Sequence, residues 1–176
     1  MKLKFYKMYK DVVAPKFATE GSACFDVCAY IIPEEMEITV YTMDNLKIKR
    51  KPEWYNVQHG PKNRFRLSPA ERILIPTGLI LDIPDGHSVR LHTRSSVSLK
   101  RGLIMPNGEG IIDSDYYHQT FVMLYNASAD DVFIENGERI AQGELIKNCM
   151  YEIEETEDVP KQKTNRVGGF GSTGVK

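Results

Sequence analysis

Four short stretches of this chain gather residue types suited to an anionic ligand. In "TRSSVSLKRG", Arg94, Ser95 and Ser96 place a guanidinium, two hydroxyls and backbone N–H groups at the end of a strand-like run. Such a group can grip phosphate oxygens, and a solvated edge with a turn has the same composition. In "NGEGIIDSDYYHQ", Asp113 follows two β-branched residues and stands two positions before Asp115, so both carboxylates share a strand face or a tight turn. The pair can hold a metal, or one member can act as a general base; a polar hairpin turn fits the same letters. Asn107 carries both a donor and an acceptor, the edge pattern that reads a nucleobase.

The third stretch, "NRVGGFGSTGVK", ends the sequence. Its "GGFGST" lacks the lysine and the following helix of a Walker loop. A backbone nest remains, in which successive N–H groups converge on an anion. Arg166 would add a charge-assisted fork, and Ser172 and Thr173 would add hydroxyls. Phe170, set among glycines, is free to stack on a planar ligand. A frayed terminus has the same composition. In the fourth stretch, "NGERIAQGE", Arg139 and Gln142 bracket Ile140 and Ala141 and say little alone.

These residues must be carried by one domain of ordinary size, 176 residues long, with 41% hydrophobic and 27% charged residues. The net charge of −1 argues against a nucleic-acid footprint but leaves room for a local cluster of donors. No apolar run approaches the roughly 18 residues of a membrane span, and "MKLKFYKMYKDV" lacks a signal-peptide core. A cytoplasmic location is expected. The three cysteines, Cys24, Cys28 and Cys149, are expected to be buried free thiols, with no histidine spaced for zinc.

Short strands punctuated by turns dominate the pattern. Ile73–Ile75 and Leu79–Ile83 are apolar runs broken by Pro76, Gly78 and "PDG". "SVRLHTR" alternates with period two, "QTFVMLYN" and "DVFIENGERI" read as two strands joined near "NASAD", and "KNCMYEIEE" reads as another. The expected class is all-β, a barrel or sandwich. The basic segment 44–66, with the single tryptophan, reads as an insertion with a hairpin of its own. Residues 152–165 read as a mobile linker, whose 14 residues span on the order of 45 Å when extended.

Taken in order, "SACFDVCA", "TRSSVSLKRG", "NGEGIIDSDY", "GERIAQ" and "RVGGFGSTG" resemble the motifs of the trimeric dUTPase family. The resemblance runs from Ala18 to Gly174. It implies a jelly-roll-like β-barrel over 1–152, a flexible linker and glycine-rich arm over 153–176, and a homotrimer with active sites shared between subunits. It also implies hydrolysis of dUTP to dUMP and pyrophosphate by water attack at the α-phosphorus. That reaction lowers dUTP and supplies dUMP for thymidylate synthesis.

By match to the motifs, Asp113 would orient and activate the water. Arg94, Ser95, Ser96, Gln142, Arg166, Ser172 and Thr173 would hold the phosphates. Asn107, with Gly110 and Ile112, would read uracil, Tyr116 would pack on the deoxyribose, and Phe170 would cover the base. Asp26 would contact Mg²⁺ through water. The chain departs from the usual pattern at Cys24 (usually glycine), Thr93 (usually proline) and His118 (usually glycine). Arg166 stands one residue closer to Phe170 than is usual.

Two other functions share the fold. A dCTP deaminase needs a glutamate where this chain has Met123, and it lacks the glycine-rich arm. A regulatory binding protein would use the 44–66 segment as a surface for a protein partner.

Overall fold

The computed structural model describes residues 1–32, 36–57, 60–165 and 167–168, without side-chain detail at 57, 60 and 61. The N-terminal half carries β1 (Lys4–Lys7), β2 (Lys16–Phe17), β3 (Phe25–Cys28), β4 (Ile38–Tyr41) and β5 (Lys47–Arg50). The middle carries β6 (Glu53–Val57), β7 (Gly60–Leu67), β8 (Arg72–Pro76), β9 (Leu79–Asp82) and β10 (His87–Thr93). Then come α1 (Ser95–Arg101), β11 (Leu103–Ile104), β12 (Gly110–Ile112), β13 (Phe121–Asn126), β14 (Val132–Glu135) and β15 (Arg139–Lys147).

Two five-stranded antiparallel sheets form the body, in the orders β12-β10-β15-β3-β2 and β11-β13-β8-β4-β5. A three-stranded sheet, β14-β7-β6, and the β1-β9 pair complete a jelly-roll-like arrangement whose ladders, among the described residues, do not close into a barrel. Alternation decides which face is inside. Val89 and Leu91 of β10, Ile73 and Ile75 of β8, and Val122 and Leu124 of β13 all enter one core. None of the described helices is long and apolar enough to cross a membrane.

The structure revises four local expectations. Segment 44–66 is partly structural: β5 extends a main sheet by pairing with β4, and β7 pairs with both β6 and β14. Phe65, inside that segment, is fully buried in the core, a burial that contributes roughly 2 kcal/mol or more. Arg50 ties it down through two hydrogen bonds to the Glu71 carboxylate, at 3.0 and 2.6 Å. The exposed remainder includes Trp54.

"DVFIENGERI" is two strands rather than one, separated by a turn in which Gly137 takes a φ of 76°. "KNCMYEIEE" is not a strand, because β15 ends where its neighbour β10 begins, on the pair His87–Lys147. Cys149 lies beyond that last rung and is exposed, so only Cys28 is a fully buried thiol, with Cys24 half-buried. The residues after Lys147 that are described form no helix or strand.

Candidate active site

The strand order brings Asp26 and Gln142 side by side, because β3 and β15 pair with Gln142 opposite Asp26. The next rung places Gln142 opposite His92 of β10. Residues opposite one another in an antiparallel pair share a face, so Asp26, Gln142 and His92 form a row across three strands on the outer face. Arg94 follows at the end of β10 as the N-cap of α1, in an extended conformation. Its extended backbone turns the chain into the helix, and the Val97 and Ser98 N–H groups donate to its carbonyl. Ser95 and Ser96 open the helix and are exposed. Gly102 closes it at φ 64°, where a Cβ would meet Ser128 at 2.9 Å.

The centre of this group is Asp26, only 7% exposed. Arg94 Nε lies 2.9 Å from one carboxylate oxygen, and Arg139 donates to the other at 3.0 Å. Arg94 also donates to the Arg139 carbonyl at 3.3 Å. Two guanidiniums sharing one carboxylate leave a net positive cluster, the polarity a phosphate chain needs. Arg139 carried no signal in the linear sequence beyond its motif; its role appears only because β15 lies against β3. On the same face Cys28 is pushed up by burial, and further by the Asp26 carboxylate, while Arg139, Arg94 and Lys16 act in the opposite direction.

The second group lies around β12. Its leading loop is anchored to β10 by the Met105 N–H, which donates to the Thr93 hydroxyl at 3.2 Å. Threonine thus supplies an acceptor that proline would lack. Gly108 takes a φ of 73°, and the Asn107 side-chain amide closes the loop on the Glu109 carbonyl at 2.8 Å. Glu109 is held by Arg90 at 3.2 Å, with His92 3.8 Å away; His92 also meets Glu144 at 3.0 Å. This ionic network was not legible in the sequence. Gly110 sits where a Cβ would approach Met105 at 3.0 Å and Leu91 at 3.2 Å. Ile112 is buried and Asp113 follows it, exposed, in a turn closed by the Tyr116 N–H donating to its carbonyl. The Tyr116 hydroxyl donates to the Gln119 carbonyl at 3.0 Å, and its ring meets His118 edge-on.

His92 links the two groups, but Asp113 and the Asp26–Arg94–Arg139 cluster stand apart within one chain. Ile112 pairs with Val89, while the Asp26–Gln142 row is level with His92, three positions along and three strands across from β12. Asp113 lies one position further on, so sheet spacings put it on the order of 20 Å from Asp26. Arg166, Phe170, Ser172 and Thr173 lie outside the described residues.

A dUTPase family model matches residues 62–174. This chain belongs to the dUTPase family. The deoxyuridine 5'-triphosphate nucleotidohydrolase of Caulobacter vibrioides is 32% identical over 175 residues, covering 99% of this chain and 94% of that protein. The Brucella melitensis protein of the same name is 44% identical over 109 residues, 62% of this chain and 69% of its own. Among solved structures, a mutant of the Staphylococcus bacteriophage 80alpha dUTPase with dUpNHpp superposes with a TM-score of 0.72 at 20% identity. That match covers 99% of both chains and carries the fold.

The dUTPase family implies Mg²⁺, and the donor set bears on how it would be held. Among the described residues no three His, Cys, Asp or Glu side chains gather as a metal cage. Asp26 is the one carboxylate bonded within the arginine cluster, and each of its oxygens already accepts from a guanidinium. Neither oxygen is left for direct ligation, so a hard cation here would have to arrive on a polyphosphate and keep its waters, and Asp26 would reach it only through one of them.

Proposed function

We propose that this dUTPase hydrolyses dUTP to dUMP and pyrophosphate, with water attacking the α-phosphorus. The observation that carries the reading is the match across 99% of the chain to a protein named for that reaction, alongside the five motif stretches of the sequence. Bound Mg²⁺ would neutralise phosphate charge and favour the departing pyrophosphate. Arg94, Ser95, Ser96 and Gln142 would bind the phosphates and stabilise charge as it develops on their oxygens. Asp113 would accept a proton from the attacking water and orient it. Asn107, with the Gly110 and Ile112 backbone, would read the uracil edge, and Tyr116 would leave no room for a 2′-hydroxyl.

The separation of Asp113 from the arginine cluster supports a shared site. A water held by Asp113 and phosphates held by Arg94 must converge on one phosphorus, so the two groups would come from different copies of the chain. A homotrimer is the assembly proposed, with the residues around Arg166, Phe170, Ser172 and Thr173 closing the site as a C-terminal arm. The 1–152 body and the 153–176 arm are the corresponding division, and the cytoplasm the proposed location.

The test is turnover by the purified protein with Mg²⁺. Pyrophosphate should be released from dUTP far faster than from UTP, dCTP or dTTP. Ammonia from dCTP, or no turnover of dUTP, would overturn the reading. A monomer with full activity would overturn the shared site.

A further inference from the structure

The row of outward residues at the phosphate-binding face does not stop at Asp26. β2 pairs with β3 so that Lys16 stands opposite Asp26. The full row is therefore Lys16, Asp26, Gln142 and His92, on β2, β3, β15 and β10 in turn. Neighbouring strands lie about 4.8 Å apart, and directly paired residues point to the same side. The short strand that presents Lys16 is fixed by this pairing and by Phe17, whose ring meets Phe25 edge-on at 6.3 Å.

Three cations thus share this face with one carboxylate, and they are not equivalent. Arg94 and Arg139 are both bonded to Asp26. The Lys16 side chain is exposed and makes no ion pair or hydrogen bond among the described residues. Counting Lys16, Arg94 and Arg139 against Asp26, the cluster carries a formal charge of +2. An ammonium on a flexible stem gains from a bound polyanion without first giving up a partner. Lys16 also precedes Ala18, where the resemblance to the family motifs begins, so nothing in those motifs calls for it.

We propose that Lys16 is a further phosphate-binding residue, contacting the terminal phosphates of the nucleotide beside the Asp26–Arg94–Arg139 cluster. The assignment rests on the reading that this face receives the triphosphate. Its ligand is the pyrophosphate end of the substrate; the base and sugar lie outside its reach. Lys16 therefore acts chiefly on affinity for the phosphate chain, with a smaller effect on the departing pyrophosphate.

Calorimetric titration of pyrophosphate and of dUMP, each with Mg²⁺, into wild-type protein, Lys16→Met and Lys16→Arg tests this. Lys16→Met should bind pyrophosphate about three- to fivefold more weakly, as for loss of one solvent-exposed charge contact. It should bind dUMP as wild type does, and Lys16→Arg should restore most of the pyrophosphate affinity. In steady state, KM for dUTP should rise by a similar factor, and kcat should fall by less than KM rises. Unchanged pyrophosphate binding, a parallel loss for dUMP, or a wild-type protein that does not bind pyrophosphate would each overturn the assignment. Wild-type turnover of dUTP with unaltered Lys16→Met affinity would overturn Lys16 alone, whereas absent wild-type turnover would overturn the dUTPase activity itself.

Discussion

Asp26 and Arg94 meet at 2.9 Å, Oδ1 to Nε, on the outer face of a sheet whose other side is the hydrophobic core. Arg139 takes the second carboxylate oxygen at 3.0 Å. The carboxylate thereby orients the guanidinium at the mouth of α1, and under the proposed function the aspartate would shape the phosphate site in advance of the ligand.

Removing that carboxylate should therefore damage the site more than the fold. Asp26→Ala leaves Arg94 and Arg139 without their acceptor, but water can reach both, their side chains being 22% and 48% exposed. A stability loss of about 1–2 kcal/mol is expected, below that for a fully buried pair. Turnover of dUTP should fall at least tenfold. Chemical denaturation and steady-state kinetics on the same preparation separate the two effects, and unimpaired turnover would show that Asp26 does not orient Arg94.

Asp113 is exposed and its carbonyl, not its carboxylate, closes the local turn. Asp113→Asn should leave stability unchanged within about 0.5 kcal/mol. It should retain binding of a non-hydrolysable dUTP analogue and lose most turnover, on the order of a hundredfold or more, as for loss of a general base. Normal turnover would exclude Asp113 as the base.

The thiols differ in environment and should react in order. Cys149 is exposed, whereas Cys28 is buried and burial first, then Asp26, pushes its thiol up. The thiolate is the reactive form. At pH 8 one equivalent of an alkylating reagent should modify Cys149, and Cys28 should react only in denaturant. Mass mapping of the alkylated peptides checks this; early loss of Cys28 would mean that the arginine cluster opens in solution.

Tyr30 is buried and its hydroxyl donates to Asp11 at 2.8 Å. Burial, then that hydrogen bond, raises its proton affinity well above the ordinary tyrosine value. Above about pH 10 the unfolded chain releases a proton that the native state keeps, so the unfolding free energy falls as pH rises. Tyr30→Phe should cost about 1 kcal/mol at pH 8 and then lose less between pH 8 and pH 11 than wild type does. Denaturation curves at both pH values decide this, and equal losses would remove Tyr30 from the account.

The all-β class and the core alternation of β8, β10 and β13 follow from the order of amino acids alone. The motif stretches mark candidate site residues such as Asp26, Arg94 and Asp113, but not the roles of Arg139, Glu109 or Lys16. Period-two patterning and glycine-rich or prolyl turns are local properties, readable from neighbouring letters. Strand ends were less legible, because β15 stops at the last rung it shares with β10, a limit imposed by a partner sixty residues away. The 44–66 segment looked polar and separable, yet Phe65 is core, since one buried alternating stretch is hidden among charged neighbours. Which residues stand side by side was a matter for the folded chain. Folding set Asp26 between Arg94 and Arg139, placed Lys16 opposite Asp26, and held Asp113 on the order of 20 Å from that cluster. Those relations are fixed by strand order and register, and hydrogen bonds between strands distant in sequence leave no local trace.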